Sequence, residues 1–553
     1  MDLNSTQNKD IYTYLREALI TAVSVELPQD FEIEFESPKD PSHGDISTNL
    51  ALKLAGVLRK PPITIASEIV NNLPIDDSFI AKAEAVKPGF INFTYSETYS
   101  RNALADLLLK GEDYGKCDIG GGKRVLLEFV SANPTGPLNI VSARAAALGD
   151  SLKRIMNACG YRAESEFYVN DAGQQVLLLG HSFLVRHAKT MHNIDIGFPE
   201  GGYKGAYVME MAVDWVDKDF DWHNLNDEQK LRAGKMMVDR IVVNQKSTLN
   251  LFNVSFDKWI YESEIRTKNN PDKLRDELID KGLACLKDGA VYFKTSQFGD
   301  DEDHVIWTSA GRPTYFLPDI AYHQDKYERG FEWLIDIWGP DHHGYIPRMK
   351  AALKALGHPE DSFTVILAQQ VNLMRGGEKV KMSKRAGEII EMNELIEEVG
   401  TDAARFFFLQ RKASAHLDFD LDLAVKETEE NPVFYIQYAH ARLCSIERFA
   451  EDPGIKMDAG KINLLKETEE FNLIKRLIEF PQIIQLCCRK LEPQPITVYL
   501  LQLASTFHSF YQKRRVVTDD RELSSARLAL CHAVKQVIAN GLNLIGVSAP
   551  DRM

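Results

Sequence analysis

Four short, nearly continuous apolar runs, most of them delivered into a turn and then a helix, constrain this chain more than any other feature. The first is Val125-Leu126-Leu127-Glu128-Phe129-Val130. It passes through a Pro/Gly turn, Asn133-Pro134-Thr135-Gly136-Pro137, into an alanine-rich helix from about Val141. The others are Ser165 to Val169, ending at Asn170-Asp171, then Trp333–Trp338 and Phe363–Leu367. A strand that is apolar on both sides is one covered on both faces, which is how parallel sheets are built. Strand–turn–helix alternation of this kind predicts an α/β core around a parallel sheet.

The flanks read differently. Ile11, Leu15, Ala18, Leu19 and Ala22 recur at helical spacing within residues 10–22. A second apolar helix is expected from about Ile46 to Leu58, and Gly89-Phe90-Ile91-Asn92-Phe93 alternates like a strand. Gly120-Gly121-Gly122 punctuates the chain as a boundary. It is no P-loop, because Cys117 stands where the first glycine belongs and Arg124 where Ser or Thr is required. Residues from about 183 to 300 are charged and mostly helical in pattern, and read as an insertion into the α/β core. Beyond Leu421 strand signals fade and long helical segments such as Phe434–Phe449 and Val498–Lys513 predict a separate helical bundle. The expected domains are therefore an N-terminal α+β module over 1–118, the parallel-sheet domain over 119–420, and an all-α domain over 421–553.

Composition narrows the classes. Of 553 residues 44% are hydrophobic and 26% charged, which excludes disordered and fibrous chains. No apolar run approaches the ~20 residues of a membrane span, and the polar start Met1-Asp2-Leu3-Asn4-Ser5 lacks a signal pattern. Seven cysteines without a Cys-x-x-Cys pair argue against a disulfide framework or a zinc site and for a reducing cytoplasm. The formal charge of −15 excludes a uniformly basic nucleic-acid coat. That charge is uneven: the last 123 residues net +3, leaving an acidic body and a mildly basic end.

Two constellations carry chemistry. Glu128 and Asn133 stand at or just past a strand's carboxyl end, where open α/β sheets bind ligands. By itself a strand-end glutamate is more often a capped or solvated carboxylate. Arg375, Lys379, Lys381, Lys384 and Arg385 crowd a glycine-bounded loop. Such a loop is usually a solvated surface, and it equally suits a clamp on a polyphosphate leaving group.

Lys381-Met382-Ser383-Lys384 is similar to the KMSK signature of class I aminoacyl-tRNA synthetases. Ser131-Ala132-Asn133-Pro134-Thr135-Gly136-Pro137-Leu138 with Ala143-Arg144 frames the place where that class carries its HIGH signature. Further blocks resemble the arginyl-tRNA synthetases. They are Ser42-His43-Gly44-Asp45 with Asn49, Phe167 through Gln175, Thr314-Tyr315-Phe316 with Asp319, Trp338 through Tyr345, Tyr435 through Arg442, and Ser548 through Met553. They occur in family order across nearly the whole chain. One departure stands out: the family's His-x-Gly-His is here Asn139-Ile140-Val141-Ser142. Neither Asn139 nor Ser142 can become cationic, and Val141 adds a side chain where none is usual.

The resemblance implies a Rossmann-type parallel-sheet catalytic domain, an N-terminal α+β domain and a C-terminal helical anticodon-binding domain. It implies ATP-dependent ligation of L-arginine to tRNA(Arg) through arginyl-adenylate, with Mg2+ accompanying ATP, no dedicated protein metal site, and a monomer. Asn139, Val141, Ser142, Lys381, Met382, Ser383 and Lys384 correspond to ATP contacts, with Lys381, Lys384, Asn139 and Ser142 in the catalytic set. Glu128, Asn133, Tyr315, Asp319 and His342 match arginine contacts, Asp319 being the planar partner a guanidinium needs. Interleaved aromatic and basic residues in the tail single out Tyr435, Tyr438, Arg442 and Arg514 for tRNA, with Phe434 and Phe507 expected in the core. Two alternatives stand beside this one: a catalytically silent tRNA-binding paralogue, motivated by the altered HIGH motif, and a class I synthetase for another amino acid.

Overall fold

The computed structural model describes residues 10–28, 31–36, 38, 43–210, 221–268, 271–380, 390–452 and 454–553. The KMSK loop, residues 381–389, lies outside the described residues, and with it the sequence assignments to Lys381, Met382, Ser383 and Lys384.

The chain divides into two compact units. The first joins residues up to 114 with 442–480 and 503–537; the second joins 115–441 with 481–502 and 538–553. The helical tail contributes segments to both units.

The second unit is built on a five-stranded, all-parallel sheet: β1 (Arg124–Glu128), β2 (Arg162–Val169), β3 (Lys258–Tyr261), β4 (Trp333–Trp338) and β5 (Phe363–Leu367), in the order β5-β4-β1-β2-β3. The four apolar runs are four of these strands. The fifth, β3, comes from the segment expected to be an insertion, which also supplies a three-stranded antiparallel sheet over Ala284–Lys287, Ala290–Phe293 and His304–Trp307. Val125, Leu126 and Leu127 of β1 are fully buried, as a central strand requires. The chain runs outward from β1 through β2 to β3, then crosses back to place β4 on the other side of β1. That reversal puts a topological switch point between the carboxyl ends of β1 and β4.

Helix α1 (Ile140–Ala158) follows β1 and lies on the sheet. Its closest approach is at Gly149, where an added Cβ would stand 2.2 Å from the Phe129 ring, so no side chain fits. Helix α2 (Phe316–Glu328) begins beside the carboxyl ends of β1 and β4 and runs back along the sheet, so that the backbone oxygen of the residue after it, Arg329, accepts from Arg124 at the start of β1. Its apolar side, Phe316, Leu317 and Ile320, joins a core with Leu126, Leu334, Met349 and Phe363. The end of the chain is tied to this unit: the buried Arg405 guanidinium donates to Ile545 O (2.9 Å) and Phe252 O (3.0 Å) and pairs with Asp150 at 2.6 Å. Arg144 of the HIGH frame is likewise structural, donating to Gln369 O and Lys412 O at 2.8 Å each.

In the first unit an antiparallel sheet, ordered Ile46–Thr48, Phe90–Tyr95, Ile80–Val86, is flanked by helices Ile11–Ala22, Leu50–Leu58, Pro62–Asn72 and Glu97–Lys110. The expected helix from Ile46 begins instead at Leu50; the three residues Ile46-Ser47-Thr48, two of them β-branched, pair with the central strand. The Gly44-Asp45 pair is a structural device. Gly44 (φ +90°) turns tightly against Phe93, and the Asp45 carboxylate accepts from Tyr95 N (2.8 Å) and pairs with Lys475 (2.7 Å). Among the described residues no helix is long and apolar enough to cross a membrane.

Candidate active site

A cavity of about 230 Å³ opens at the switch point. Glu128, Val130 and Ser131 line it from the end of β1, Tyr168 from β2, and Asp336, Ile337 and Trp338 from β4. Asp319, Tyr322 and His323 close it from α2, and His342 and Tyr345 from the 3-10 turn Pro340–Tyr345. The turn after β1 reverses through Val130 (φ +68°) and Ser131 (φ +36°). A β-branched residue in the left-handed region is strained, and such strain is held where the surroundings fix it. Here the Ser131 hydroxyl does the fixing: it donates to Glu128 Oε1 (2.8 Å) and accepts from Tyr168 N (3.1 Å), stapling the ends of β1 and β2 together.

Parallel register lines up three acids across neighbouring strands: Asp336 opposite Glu128, and Glu128 opposite Glu166. Buried carboxylates need cations, and α2 with the residue that follows it brings them. The fully buried Lys326 ammonium lies 2.5 Å from Glu128 Oε2 and 3.2 Å from Asp336 Oδ1. Arg329 grips Glu166 with two nitrogens at 2.6 and 3.0 Å, and Tyr322 donates to the same carboxylate at 2.5 Å. His323 bridges Asp336 Oδ2 (3.0 Å) and the backbone oxygen of Asp319 (2.8 Å). The Asp319 carboxylate accepts from the Tyr345 hydroxyl at 2.7 Å.

Electrostatics follow from burial and pairing. Burial raises the Asp319 carboxyl above its ordinary range, and its hydrogen bond from Tyr345 and the cations of α2 offset this only in part. Glu128 is raised for the same reason, opposed by Lys326. Asp336 goes the other way: burial would raise it, but Lys326 and His323 hold it below the usual carboxylate value. Burial works against the Lys326 ammonium, yet Asp336, Glu128 and Glu166 together raise its pKa.

Of the five residues assigned to arginine from sequence, Glu128, Asp319 and His342 line the cavity. Asn133 does not; it is exposed in the turn, its backbone oxygen 3.5 Å from Gln245 Nε2. Nor does Tyr315, which is 74% exposed just ahead of α2. The phenol that meets Asp319 is Tyr345, brought from the 3-10 turn rather than from one helical turn back. His342 sits at the rim, 58% exposed, its ring 3.5 Å from Asp341. Lys326, His323, Tyr322, Tyr345 and Asp336 were not singled out in the sequence. A signal existed for three of them: Tyr322, His323 and Lys326 stand with Asp319 at spacings of three and four, on one side of the helix.

The altered HIGH segment starts α1. Asn139 is its N-cap, with Oδ1 accepting from Val141 N and Ser142 N at 3.0 Å each and facing the Ser142 hydroxyl at 3.3 Å. Asn139 Oδ1 is thus engaged by the helix start. In the tail, Phe507 is buried as expected, whereas Phe434 is half-buried with its ring stacked 6.3 Å from Tyr438. Tyr435 and Tyr438 are half-buried. The Arg442 guanidinium lies over the Tyr511 ring at 4.6 Å, and Arg514 pairs with Glu467 and Glu469 at 2.7 and 2.9 Å.

Comparisons with known proteins converge on this geometry. Family models described as the arginyl tRNA synthetase N terminal domain, the tRNA synthetases class I (R) catalytic domain and the DALR anticodon binding domain match residues 9–95, 103–418 and 436–553. An arginine--tRNA ligase of Syntrophotalea carbinolica is 43% identical over 94% of this chain and 95% of its own length. One from Oceanobacillus iheyensis is 42% identical over the whole of both. The arginyl-tRNA synthetase structure from Thermus thermophilus shares the fold, with a TM-score of 0.77 and 23% identity over 98% of this chain and all of that one.

Proposed function

Since the chain belongs to the arginyl-tRNA synthetases, class I enzymes that ligate L-arginine to tRNA, we propose that the cavity between β1, β4 and α2 is where the amino acid is held. The observation that carries this reading is the Asp319 carboxylate on the cavity wall, braced by Tyr345 and raised by burial. A planar guanidinium satisfies a planar carboxylate with two parallel hydrogen bonds. Glu128 contributes a second negative edge, and the aromatic faces of Tyr168, Tyr322 and Trp338 exclude water around the methylene chain. A pocket built this way rejects citrulline, which would leave a buried carboxylate unpaired.

The reaction runs in two steps. An oxygen of the arginine carboxylate attacks the α-phosphorus of ATP, the bond to the β-phosphate oxygen breaks, and diphosphate leaves. The terminal ribose hydroxyl of tRNA then attacks the carbonyl of the arginyl-adenylate, and AMP departs with the bonding electrons. Little covalent help from the protein is needed; alignment and charge compensation suffice. ATP belongs beside the amino acid, at the start of α1, with Lys381 and Lys384 compensating the leaving diphosphate and Ser142 and the helix dipole assisting. Magnesium would arrive as the counter-ion of ATP. The carboxylates of the cavity are already paired to Lys326, His323 and Tyr345, so they do not form a cage for it. For tRNA, the reading assigns anticodon contacts to the helical tail, with Tyr435, Tyr438, Arg442 and Arg514 as candidates.

The test is arginine-dependent ATP–diphosphate exchange, with and without tRNA(Arg). Exchange that requires arginine and is not supported by lysine or citrulline is expected. Its absence with cognate tRNA present would overturn the proposal.

A further inference from the structure

The cavity holds more charge than its ligand needs, and the excess is managed by one residue. Three neighbouring strands carry a row of acids in register, Asp336, Glu128 and Glu166, with side chains on the face that α2 covers. Arg329 engages both oxygens of Glu166. Lys326 is left to span the other two, touching one oxygen of Glu128 and one of Asp336, with no solvent exposure of its own. The second oxygen of Glu128 is fixed by Ser131, and the second oxygen of Asp336 by His323. The Lys326 ammonium also lies 4.5 Å from the centre of the Tyr322 ring, so an aromatic face completes its cage.

We propose that Lys326 is a positioning residue for arginine: a built-in cation that keeps Glu128 ionised and aimed into the cavity, so that the site meets its cationic substrate with its negative charge already in place. This rests on the reading of the cavity as the arginine site. Without the ammonium, two buried carboxylates in adjacent strands would face each other across one strand spacing, and one would take a proton at neutral pH. The site would then meet arginine half-discharged. Burial already pushes Glu128 upward, and Lys326 is the group that opposes it most directly. The charged and titratable groups facing this pair are Asp336 and His323, then Asp319 and Glu166, the last neutralised by Arg329, together with the phenols of Tyr322 and Tyr168.

The experiment measures the arginine KM and the ATP KM in ATP–diphosphate exchange with tRNA(Arg), from pH 6 to 9, for the wild type, Lys326→Met, Glu128→Gln and the double variant. An arginine KM raised in E128Q with the ATP KM little changed verifies the underlying reading independently of Lys326. For K326M the pH below which the arginine KM climbs is expected to move up by about one unit or more, with the ATP KM changed less than about twofold. A purely structural loss would raise KM at every pH without moving that limb. In E128Q/K326M the upward shift should vanish, and its arginine KM should match that of E128Q. If K326M does not fold, the double variant, free of the orphaned acid at 128, still compares with E128Q. A limb that does not move in K326M, a shift that survives in the double variant, or a further tenfold loss from E128Q to the double variant would overturn the proposal.

Discussion

Asp319→Asn isolates the guanidinium contact better than any other change. The asparagine is nearly isosteric, and its oxygen still accepts from the Tyr345 hydroxyl that now meets Asp319 at 2.7 Å. What disappears is the charge and one of two acceptor edges; in its place an amide N–H₂ faces the donors of the guanidinium. Breaking a buried ion pair by removing one partner costs roughly 3–5 kcal/mol. At about 1.4 kcal/mol per factor of ten, kcat/KM for arginine should fall by roughly two to three and a half orders of magnitude. The ATP KM should move by less than about threefold. The pH profile provides a second readout. Burial raises the free Asp319 carboxyl, and a bound guanidinium favours its ionised form, so the pKa is lower in the complex. Wild-type affinity for arginine is therefore full above the raised free value and is lost as pH falls through it, above the ordinary carboxylate range. The variant lacks Asp319's share of that limb and keeps only the part that Glu128 contributes. Arginine-dependent exchange titrated in arginine and in ATP separately measures all of this. Equal losses for the two substrates, or less than a tenfold loss for arginine, would refute the assignment.

Three further expectations concern packing and tRNA. Gly149→Ala drives a methyl into the Phe129 ring, and overpacking of this kind should cost about 1–3 kcal/mol in chemical denaturation, with arginine KM shifted little in whatever folds. Arg405→Met strands two backbone oxygens and part of Asp150, and should lower stability by roughly 3–5 kcal/mol; a loss under 1 kcal/mol would show that the guanidinium's contacts to Ile545 and Phe252 contribute little. Tyr438→Ala or Arg442→Ala should weaken tRNA binding in filter or fluorescence titrations without altering arginine affinity, and that binding should weaken steeply with salt. Unchanged tRNA affinity would make both residues structural.

The parallel sheet was legible because burial on two faces writes mostly apolar segments, clearest in β1, β4 and β5, whereas β2 is apolar only over Phe167–Val169. Strand β3 was not: Lys-Trp-Ile-Tyr is four residues at a sheet edge, too short to separate from the helices around it. Ile46–Thr48 went astray for a related reason, its apolar and small residues continuing smoothly into the helix that follows. At the site, Glu128 and Asp319 were found because each stands at a position the family resemblance marks. Tyr345 escaped because its approach to Asp319 is made between distant segments, which spacing cannot express. Tyr315 is marked by the resemblance alone; the helix begins one residue after it, and in this structure its ring stands in solvent. The acid row is a matter of register, and no one-dimensional pattern reports register between strands some forty and two hundred residues apart.

The Asn139 cap has one more implication. A helix start whose amides already hold an acceptor cannot simply receive a phosphate; it has to trade. Any phosphate oxygen that takes the N–H of Val141 or Ser142 must first displace the Asn139 carbonyl from both. Such a cap stabilises a helix by about 1 kcal/mol, so nucleotide binding there would be an exchange that begins about fivefold in arrears. The same side chain steadies the helix start when no nucleotide is there, its two amides satisfied from within the chain.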